Sequence, residues 1–406
     1  ATKHLLSKAP GPVVLSIPYN VQKEMVDASI LDQISFTRMS GECVLAEQYI
    51  DKSVELIRAA RRPLIIAGYG CIRSGAQAHL RRISEHLNIP VTSSLKAKGA
   101  LDERSALSLG SLGVTSGGDA LRYLEQEADL VLMLGAGFNE RTSYVWDTHL
   151  LAGKKLIQVD NSVQQLEKAF RADLAVHADL GTYLQALDSA IQAQTVAAKD
   201  PVDIAAFIAT AQAEADAAGK TIFNRQFDHV RAFYGWLEQQ FPGGLVMFDD
   251  NIVFAQNFYR VSARDRFHPN TCISSLGHAI PAAIGAGCAT DQPLFAMIGD
   301  GGFQMCAMEI MTAVNYDIPL NIVLFNNNTM GLIRKNQHHL YQGRFIDCDF
   351  TNPDYALLAQ SFGIRHYRVE SGQDMDKLEA IDFRHGINLI EIMIDQDAYP
   401  NYSSRR

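Results

Sequence analysis

The stretch 298–331 constrains the fold of this chain most. A helix and a buried strand are predicted within it, and another buried strand ends where it begins. The apolar run 294–298 ends at Gly299-Asp300-Gly301-Gly302, a turn in which glycines let the backbone approach a ligand closely. Apolar residues then recur at spacings of three and four, which predicts a helix over 302–316. A proline ends that helix, and the apolar run 320–325 predicts a second strand. This order predicts a parallel βαβ unit with a right-handed crossover.

Polar groups follow both predicted strands, at the same edge of the sheet. Asp300 follows the first strand, and Asn326-Asn327-Asn328 follows the second. The start of the intervening helix directs free N–H groups and a positive dipole end at this edge, which suits a phosphate. Carboxylate and amide oxygens beside an anion site suit Mg²⁺, which completes its shell with phosphate and water oxygens. The sequence therefore predicts a metal-bridged diphosphate at the carboxyl ends of these strands.

The spacing of these groups resembles the signature of the thiamine-diphosphate enzymes. In that signature Gly-Asp-Gly is followed by 24 residues and then Asn-Asn, and this chain has Gly299-Asp300-Gly301 and Asn326-Asn327 at the same spacing. A simple turn is the alternative for Gly-Asp-Gly taken alone. The resemblance implies that the diphosphate lies near the amides of Gly301 and Gly302. It also implies three metal ligands: Asp300, Asn327 and the backbone carbonyl of Thr329.

The first thirty residues resemble the end of the pyrimidine-binding domain in acetolactate synthase-like enzymes of this family. Gly11-Pro12-Val13 leads into an apolar run closed by Pro18, which predicts a strand over 13–17. A single strand cannot form a sheet of its own, so we expect it to need partners from elsewhere. The resemblance implies that the glutamate which activates the cofactor belongs to the part of the domain that precedes this segment. No catalytic residue is therefore assigned in this chain.

Predicted strands alternate with helices after residue 45. The strands are 63–67, 90–93, 130–134 and 155–160, the last of which closes the series. This alternation predicts a doubly wound parallel sheet. We therefore predict an α/β protein with two such sheets, divided into four segments: a domain remnant at 1–30, a central Rossmann-like domain at 45–190, a linker at 191–220 and a diphosphate- and magnesium-binding domain at 221–406.

The segment after strand 130–134 bears on a second cofactor. Gly135 to Arg141 resembles the Gly-Ala-Arg-Phe-Asp-Asp-Arg motif with which many acetolactate synthases hold a non-redox FAD. Gly137 stands where the first arginine of that motif would be. We therefore expect that this chain does not bind FAD and that its central domain is a scaffold.

Three further segments resemble cofactor contacts of the family. Asn251-Ile252-Val253 stands where the family has Gly-Gln-His beside the diphosphate. Ser274-Ser275-Leu276-Gly277 stands where it has Gly-x-Met-Gly, so that Leu276 replaces the methionine that wedges the cofactor into a bent form. Ordinary core packing is the alternative for this leucine. The resemblance implies the following cofactor-binding residues: Asn251, Ile252, Val253, Ser274, Leu276, Gly277, Gly299, Gly301, Gly302, Met330, Gly331, Leu332 and Ile333.

The residues after the asparagines bear on the substrate. The family continues with Gly-Met-Val-x-Gln-Trp-Gln, and its tryptophan shapes the second-substrate site of the biosynthetic enzymes. Asn336 replaces that tryptophan here, so we expect a wider and more polar acceptor pocket. Arg334 and Lys335 are candidates for binding a substrate carboxylate. Exposed charges on a helix are the alternative for both.

Composition excludes several classes of function. The net charge of −9 argues against a nucleic-acid partner and against an anionic membrane surface. There is no run of about 18 apolar residues, so no membrane-spanning helix is predicted. The six cysteines are scattered without a C-x-x-C pair, which favours buried free thiols in a reducing, cytoplasmic compartment.

Together, these observations predict an acetolactate synthase-like enzyme that uses thiamine diphosphate and Mg²⁺. The expected reaction is decarboxylation of a 2-oxo acid, for example pyruvate, with carboligation to a second carbonyl. A decarboxylase that releases an aldehyde would share every motif, and a cofactor-binding chain without activity of its own is a third alternative. The family places each cofactor between two subunits, so we expect a homodimer or homotetramer with the active site at a subunit interface.

Overall fold

The computed structural model describes residue 5 and the ranges 11–30, 45–271 and 273–402. Two six-stranded sheets, parallel throughout, organise this part of the chain, which confirms the predicted fold class. The strands of the first sheet are β1 (Pro63–Ala67), β2 (Val91–Ser94), β3 (Ser108–Leu112), β4 (Leu130–Leu134), β5 (Lys155–Asp160) and β6 (Leu174–His177). Those of the second are β7 (Val246–Asp249), β8 (Arg266–Pro269), β9 (Leu294–Gly299), β10 (Leu320–Asn326), β11 (Arg365–Val369) and β12 (Ile387–Met393).

Fourteen α-helices lie in the described ranges, and most of them cover the faces of the sheets. They are α1 (Tyr19–Gln22), α2 (Glu47–Ala59), α3 (Tyr69–Arg73), α4 (Gln77–Leu87), α5 (Asp119–Gln126), α6 (Leu180–Ala193), α7 (Ile204–Ala217), α8 (Asp228–Gln240), α9 (Val253–Phe258), α10 (Ala279–Gly287), α11 (Asp300–Cys306), α12 (Ile310–Asn315), α13 (Gly331–Tyr341) and α14 (Tyr355–Phe362). Among them we find none long and apolar enough to span a lipid bilayer.

The order of the strands shows double winding in both sheets. It is β3-β2-β1-β4-β5-β6 in the first sheet and β11-β12-β10-β9-β7-β8 in the second. Every residue of β10 is buried, because helices cover both faces of its sheet. Ile322 and Leu324 pack into the hydrophobic core on one face, whereas Val323 and Phe325 pack into the core on the other.

Several predicted elements agree with the structure and others require correction. The strands predicted at 63–67, 130–134 and 155–160 are confirmed as β1, β4 and β5. However, 155–160 does not close the series, because β6 follows it at the edge of the sheet. The helix predicted over 302–316 is divided into α11 and α12 by a 3₁₀ turn at Ala307–Glu309. The predicted linker begins inside α6 and contains α7.

The strand predicted over 13–17 is wrong. Residues 11–18 pair with no strand of the described ranges, and the side chains of Val14 and Leu15 are 91% and 69% exposed. The pattern predicts a strand, but an extended segment needs a partner for its backbone hydrogen bonds. The short helix α1 follows this segment.

Candidate functional site

The two predicted polar clusters meet at the carboxyl edge of the second sheet. Strands β9 and β10 are neighbours in parallel register, with Gly299 opposite Phe325. Asp300 and Asn326 therefore leave the sheet side by side. The backbone N–H of Asn327 donates a 3.1 Å hydrogen bond to Oδ2 of Asp300, so the structure brings together two residues that are 27 positions apart in the sequence.

The Asp300 carboxylate is the centre of this site and is only 2% exposed. Its Oδ2 accepts hydrogen bonds from the backbone N–H of Asn328 at 2.7 Å and from Nδ2 of Asn352 at 2.9 Å, besides that from Asn327. Its Oδ1 accepts one, from the N–H of Gly301 at 2.9 Å. Burial raises the pKa of Asp300, and these donors counteract the rise by stabilising the carboxylate. Because Oδ1 takes a single donor, it keeps a lone pair with which to ligate a cation.

The loop after β10 is held in place from the side. Thr329 Oγ1 donates to the carbonyl oxygen of Cys348 at 2.8 Å, and the N–H of Met330 donates to the same oxygen at 2.7 Å. Asn328 has a left-handed φ of 56°, which turns the chain between the two predicted ligands. The Asn327 side chain lies over Gly331, since a Cβ at Gly331 would lie 2.8 Å from its Nδ2. Asn327 and Thr329 therefore have fixed positions beside Asp300.

Glycines form the floor of the site where α11 begins. A Cβ at Gly301 would lie 2.5 Å from Sδ of Met330, and a Cβ at Gly302 would lie 2.5 Å from Oδ2 of Asp250. The Asp250 carboxylate cannot move freely, because it accepts 2.8 Å hydrogen bonds from the N–H groups of Gly277 and His278. The glycines thus leave space that a ligand with several oxygens can fill.

Gly301 lies against a flexible methionine side chain, whereas Gly302 lies against a fixed carboxylate. Alanine should therefore have unequal effects at the two positions. Gly302→Ala should lower the free energy of unfolding by about 1–3 kcal/mol, because the new methyl group overlaps a fixed carboxylate. Gly301→Ala should cost less, because the end of the Met330 side chain can rotate away. Urea unfolding of the two variants measures the difference. Equal destabilisation would contradict the assigned rigidity of Asp250.

Leu276 lies beside this floor and is half buried. It belongs to neither hydrophobic core on the faces of the second sheet, so ordinary core packing, the alternative for this residue, does not describe it. Ser274 and Gly277, on either side, have left-handed φ values of 56° and 81°. Their turn brings the segment against α11, since a Cβ at Gly277 would lie 3.3 Å from Cβ of Met305.

A second buried carboxylate orients the segment Asn251-Ile252-Val253. Oδ1 of Asp249 accepts a 2.7 Å hydrogen bond from the N–H of Ile252, and its Oδ2 accepts a 3.0 Å hydrogen bond from Nε2 of Gln256. Asn251 takes a left-handed φ of 64° in the turn. Asp249 is fully buried, and this burial raises its pKa to about 7.

The raised pKa of Asp249 predicts how stability depends on pH. In the unfolded chain an aspartate loses its proton near pH 4, whereas folded Asp249 keeps its proton up to about pH 7. The folded state thus binds more protons in this window, so its stability should fall by roughly 4 kcal/mol between pH 4 and 7 and then level off. Asp249→Asn should remove this slope, as measured by urea unfolding at several pH values. Parallel curves for both proteins would contradict the assignment.

A cavity of about 300 Å³ adjoins the site between the two sheet-containing units. It collects predicted residues from separate segments: Asn251, Val253, Leu332 and Asn336. Two cationic residues also line it, Arg141 and Lys335, and no role was predicted for Arg141 from the sequence. The Arg141 guanidinium makes long hydrogen bonds across the gap, 3.4 Å to Oδ1 of Asn251 and 3.5 Å to Oγ of Ser274.

Arg334 is placed differently from its neighbour Lys335. Its guanidinium binds Asp349 and, at 2.8 Å, Asp397, and it lies 3.8 Å from the ring centroid of Phe345. It does not line the cavity. Arg334 and Lys335 are both buried, so the alternative of exposed helix charges is wrong for both.

Asn352 is a site residue to which the sequence interpretation assigned no role. Its Nδ2 contacts Oδ2 of Asp300, Oδ1 of Asn326 at 2.8 Å and Oδ1 of Asn328 at 3.1 Å. Its own Oδ1 accepts a 2.9 Å hydrogen bond from the hydroxyl of Tyr355. The polar segment Thr351-Asn352-Pro353-Asp354 was the sequence signal that could have identified it.

The residues present fit a magnesium-bound diphosphate. Within the described ranges, no group of three or more His, Cys, Asp or Glu side chains is placed to hold a metal. A cation here would therefore be held by one carboxylate together with amide, carbonyl and ligand oxygens. That set suits Mg²⁺, which often binds through one or two carboxylates and substrate phosphates. The glycine floor supplies the space that a diphosphate needs.

Comparison with known proteins agrees with this geometry. Residues 50–187 match the domain family described as thiamine pyrophosphate enzyme, central domain. Residues 250–392 match the family described as thiamine pyrophosphate enzyme, C-terminal TPP binding domain. These two matches cover more than half of the chain, which therefore belongs to the thiamine pyrophosphate enzymes.

The individual relatives with similar sequences are named acetolactate synthases. The chain is 29% identical to the mitochondrial acetolactate synthase of Schizosaccharomyces pombe, over 96% of this chain and 62% of that protein. It is 28% identical to a probable acetolactate synthase large subunit of Methanocaldococcus jannaschii, over 95% of this chain and 67% of the relative. It is also 28% identical to the acetolactate synthase isozyme 1 large subunit of Escherichia coli, over 97% and 69% respectively. The chain thus spans about two thirds of the length of these relatives.

Proposed function

We propose that this chain binds thiamine diphosphate with Mg²⁺ and acts in the decarboxylation of a 2-oxo acid, with carboligation of the product to a second carbonyl. The observation that carries the proposal is the meeting of Asp300, Asn327 and the glycine floor at one sheet edge. The names of the relatives, acetolactate synthases, support the same reaction. Pyruvate is the first substrate to test.

The side chains have distinct tasks in this proposal. Asp300, Asn327 and the carbonyl of Thr329 would hold Mg²⁺, and the N–H of Gly302 would face the diphosphate. The N–H of Gly301, expected from the sequence to do the same, donates to Oδ1 of Asp300 in this structure. Thiamine diphosphate, when bound, supplies a carbanion and an electron sink for 2-oxo acid chemistry. Asn352 fixes the orientation of the Asp300 carboxylate through its 2.9 Å hydrogen bond. Leu276 would support the cofactor from the side.

Substrate would enter through the cavity between the two units. Arg141 and Lys335 line it and can bind the carboxylate of a 2-oxo acid. Arg334 is less suited to this task, because carboxylates already neutralise its guanidinium. Apolar residues of the lining, such as Val253 and Leu332, would limit the access of water to the reacting carbon.

Product analysis tests the reaction. The purified chain would be incubated with Mg²⁺, thiamine diphosphate and pyruvate, and the products identified by mass spectrometry and NMR. Acetolactate or another ligation product supports the proposal. Free acetaldehyde alone supports the alternative of a simple decarboxylase. Cofactor binding without turnover supports the alternative of a chain that has no activity of its own.

A homo-oligomer is part of the proposal. In α11, in the turn after it and directly after α12, the side chains of Met305, Met308 and Tyr316 are 64%, 71% and 75% exposed. Exposed apolar side chains grouped on one surface often mark an interface. Because Met305 also adjoins Gly277, this surface borders the glycine floor of the site. A dimer or tetramer in analytical ultracentrifugation supports the proposal, and a monomer at all concentrations contradicts it.

A chain without FAD is also proposed. Gly137 replaces the arginine of the family motif, and it is exposed. We expect the purified protein to hold flavin at well below one molecule per chain. A stoichiometric flavin absorbance spectrum would contradict this.

A cytoplasmic location completes the proposal. Cys71, Cys306 and Cys348 are buried free thiols, whereas Cys288 is a free thiol that is exposed, so the expectation of burial is wrong for Cys288. Free thiols are typical of a reducing compartment. Fractionation of the source cells tests it.

A further inference from the structure

Two adjacent cations on α13 have opposite surroundings. Arg334 is neutralised by the carboxylates of Asp349 and Asp397. Lys335 follows directly in the chain, is 3% exposed, and forms no ion pair with any carboxylate of the described ranges. The shared helix therefore carries one buried cation that is fully paired and one that is not.

The contacts of Lys335 leave its charge uncompensated. Its Nζ donates a 2.9 Å hydrogen bond to the carbonyl oxygen of Tyr402 and lies 3.7 Å from the centroid of that ring. Burial lowers the pKa of Lys335 to about 8, so the ammonium is still mostly charged at pH 7. A buried charge without an ionic partner costs free energy, and the lysine thus lies where an anion would be stabilised.

A second cationic residue lines the same 300 Å³ cavity as Lys335. Arg141 belongs to the central unit, and its contacts with Asn251 and Ser274 are to neutral oxygens at 3.4 and 3.5 Å. Among the described lining residues Glu140 is the one acid, and it is exposed, so that water screens its charge. The interior of the cavity therefore carries two positive charges.

We propose that this cavity binds a small dicarboxylate, with Lys335 and Arg141 each facing one acidic group. A volume of about 300 Å³ is at the small end of ligand sites, which suits a molecule of four or five carbons. This inference rests on the proposed function for one point, namely that the dicarboxylate is the acceptor in carboligation. The preferred acceptor would then be a 2-oxo acid with a second acidic group rather than pyruvate, which has one.

Direct binding to the full chain tests the inference without cofactor. Succinate and butyrate have the same number of carbons and differ in one carboxylate. In calorimetry at pH 7 and constant ionic strength, succinate should bind more tightly. Lys335→Gln keeps a donor for Tyr402 and should reduce succinate affinity by about 10- to 100-fold, the loss of one charge-assisted contact. Lys52→Gln, an exposed lysine paired with Glu55, should leave it unchanged.

Three results would overturn the inference. The first is equal affinity for succinate and butyrate, and the second is tighter binding of inorganic phosphate than of succinate. The third comes from Lys335→Met, which replaces an unpaired buried charge by an apolar chain of similar volume. It should melt no lower than the original protein while losing the preference for succinate. A clearly lower melting temperature would mean that Lys335 serves the fold rather than a ligand.

A separate titration distinguishes this inference from the proposed function. Binding of magnesium thiamine diphosphate, followed in the same preparations by the quenching of protein fluorescence, reports on the Asp300 site alone. If the unsubstituted protein shows no succinate preference while cofactor binding is intact, the dicarboxylate site is refuted and the cofactor site stands. Succinate selectivity without cofactor binding refutes the cofactor site and the acceptor role, but the cavity remains a dicarboxylate site.

Discussion

Asp300→Ala is expected to weaken the binding of magnesium thiamine diphosphate by at least about 100-fold, on the order of 3 kcal/mol. The substitution removes the only carboxylate assigned to the metal, so the remaining neutral oxygens cannot offset the charge that Mg²⁺ brings to the diphosphate. It also leaves the N–H groups of Gly301, Asn327 and Asn328 without their acceptor. Isothermal calorimetry with and without Mg²⁺ measures the change.

Asp354→Asn is the matched control for this prediction. It removes one negative charge two positions from Asn352, at the exposed N-cap of α14, and asparagine can keep the cap hydrogen bonds to Ala356 and Leu357. Its cofactor affinity should be unchanged. If Asp300→Ala is folded by circular dichroism and binds as tightly as the control, the metal site is assigned to the wrong residues.

The elements that the sequence predicted best are the central strands of both sheets. Strands such as β4 and β10 are buried along their whole length, so they appear as uninterrupted apolar runs. The edge strands β3 and β6 are less apolar and only partly buried, and β3 also contains Gly110. Their pairing depends on the neighbouring strand more than on their own side chains, which is why the sequence did not indicate them.

The division between α11 and α12 shows a different limit. The apolar spacing continues through 302–316, so that periodicity alone predicts one helix. Cys306 has φ −138° and ψ 8°, which lies outside the helical region and produces the 3₁₀ turn. A local change of backbone angle leaves the pattern of side chains intact, and the sequence therefore did not show it.

Within the candidate site, the sequence found the groups that follow predicted strands. Asp300 and Asn327 could be placed at one edge because strand ends in a parallel sheet share that edge. Asn352 and Arg141 come from distant segments and reach the site only through tertiary packing. The burial of Lys335 likewise depends on Tyr402, 67 positions later in the chain. Spacing could not reveal these contacts.

The buried pair Lys98–Glu103 predicts the second large effect. Its side chains are 4% and 5% exposed, and Nζ of Lys98 binds Oε2 of Glu103. The same carboxylate oxygen accepts a 2.8 Å hydrogen bond from the N–H of Val261, and the N–H of Glu103 donates to the Val261 carbonyl at 2.9 Å. The pair thus joins a loop in the unit that contains the first sheet to a loop in the unit that contains the second.

Glu103→Gln should lower the free energy of unfolding by about 3–5 kcal/mol, because it leaves the Lys98 ammonium buried without a negative partner. The double variant Lys98→Met/Glu103→Gln should recover most of this loss, since no buried charge then remains. Lys155→Met is the control, because it removes one partner of a surface pair in which Lys155 is 65% exposed, and should cost at most about 1 kcal/mol. Denaturant unfolding of the original protein, Lys98→Met, Glu103→Gln and the double variant gives the coupling free energy between the two side chains. A loss below about 1 kcal/mol for Glu103→Gln, or a double variant as unstable as that single one, would show that the two units are held together by other contacts.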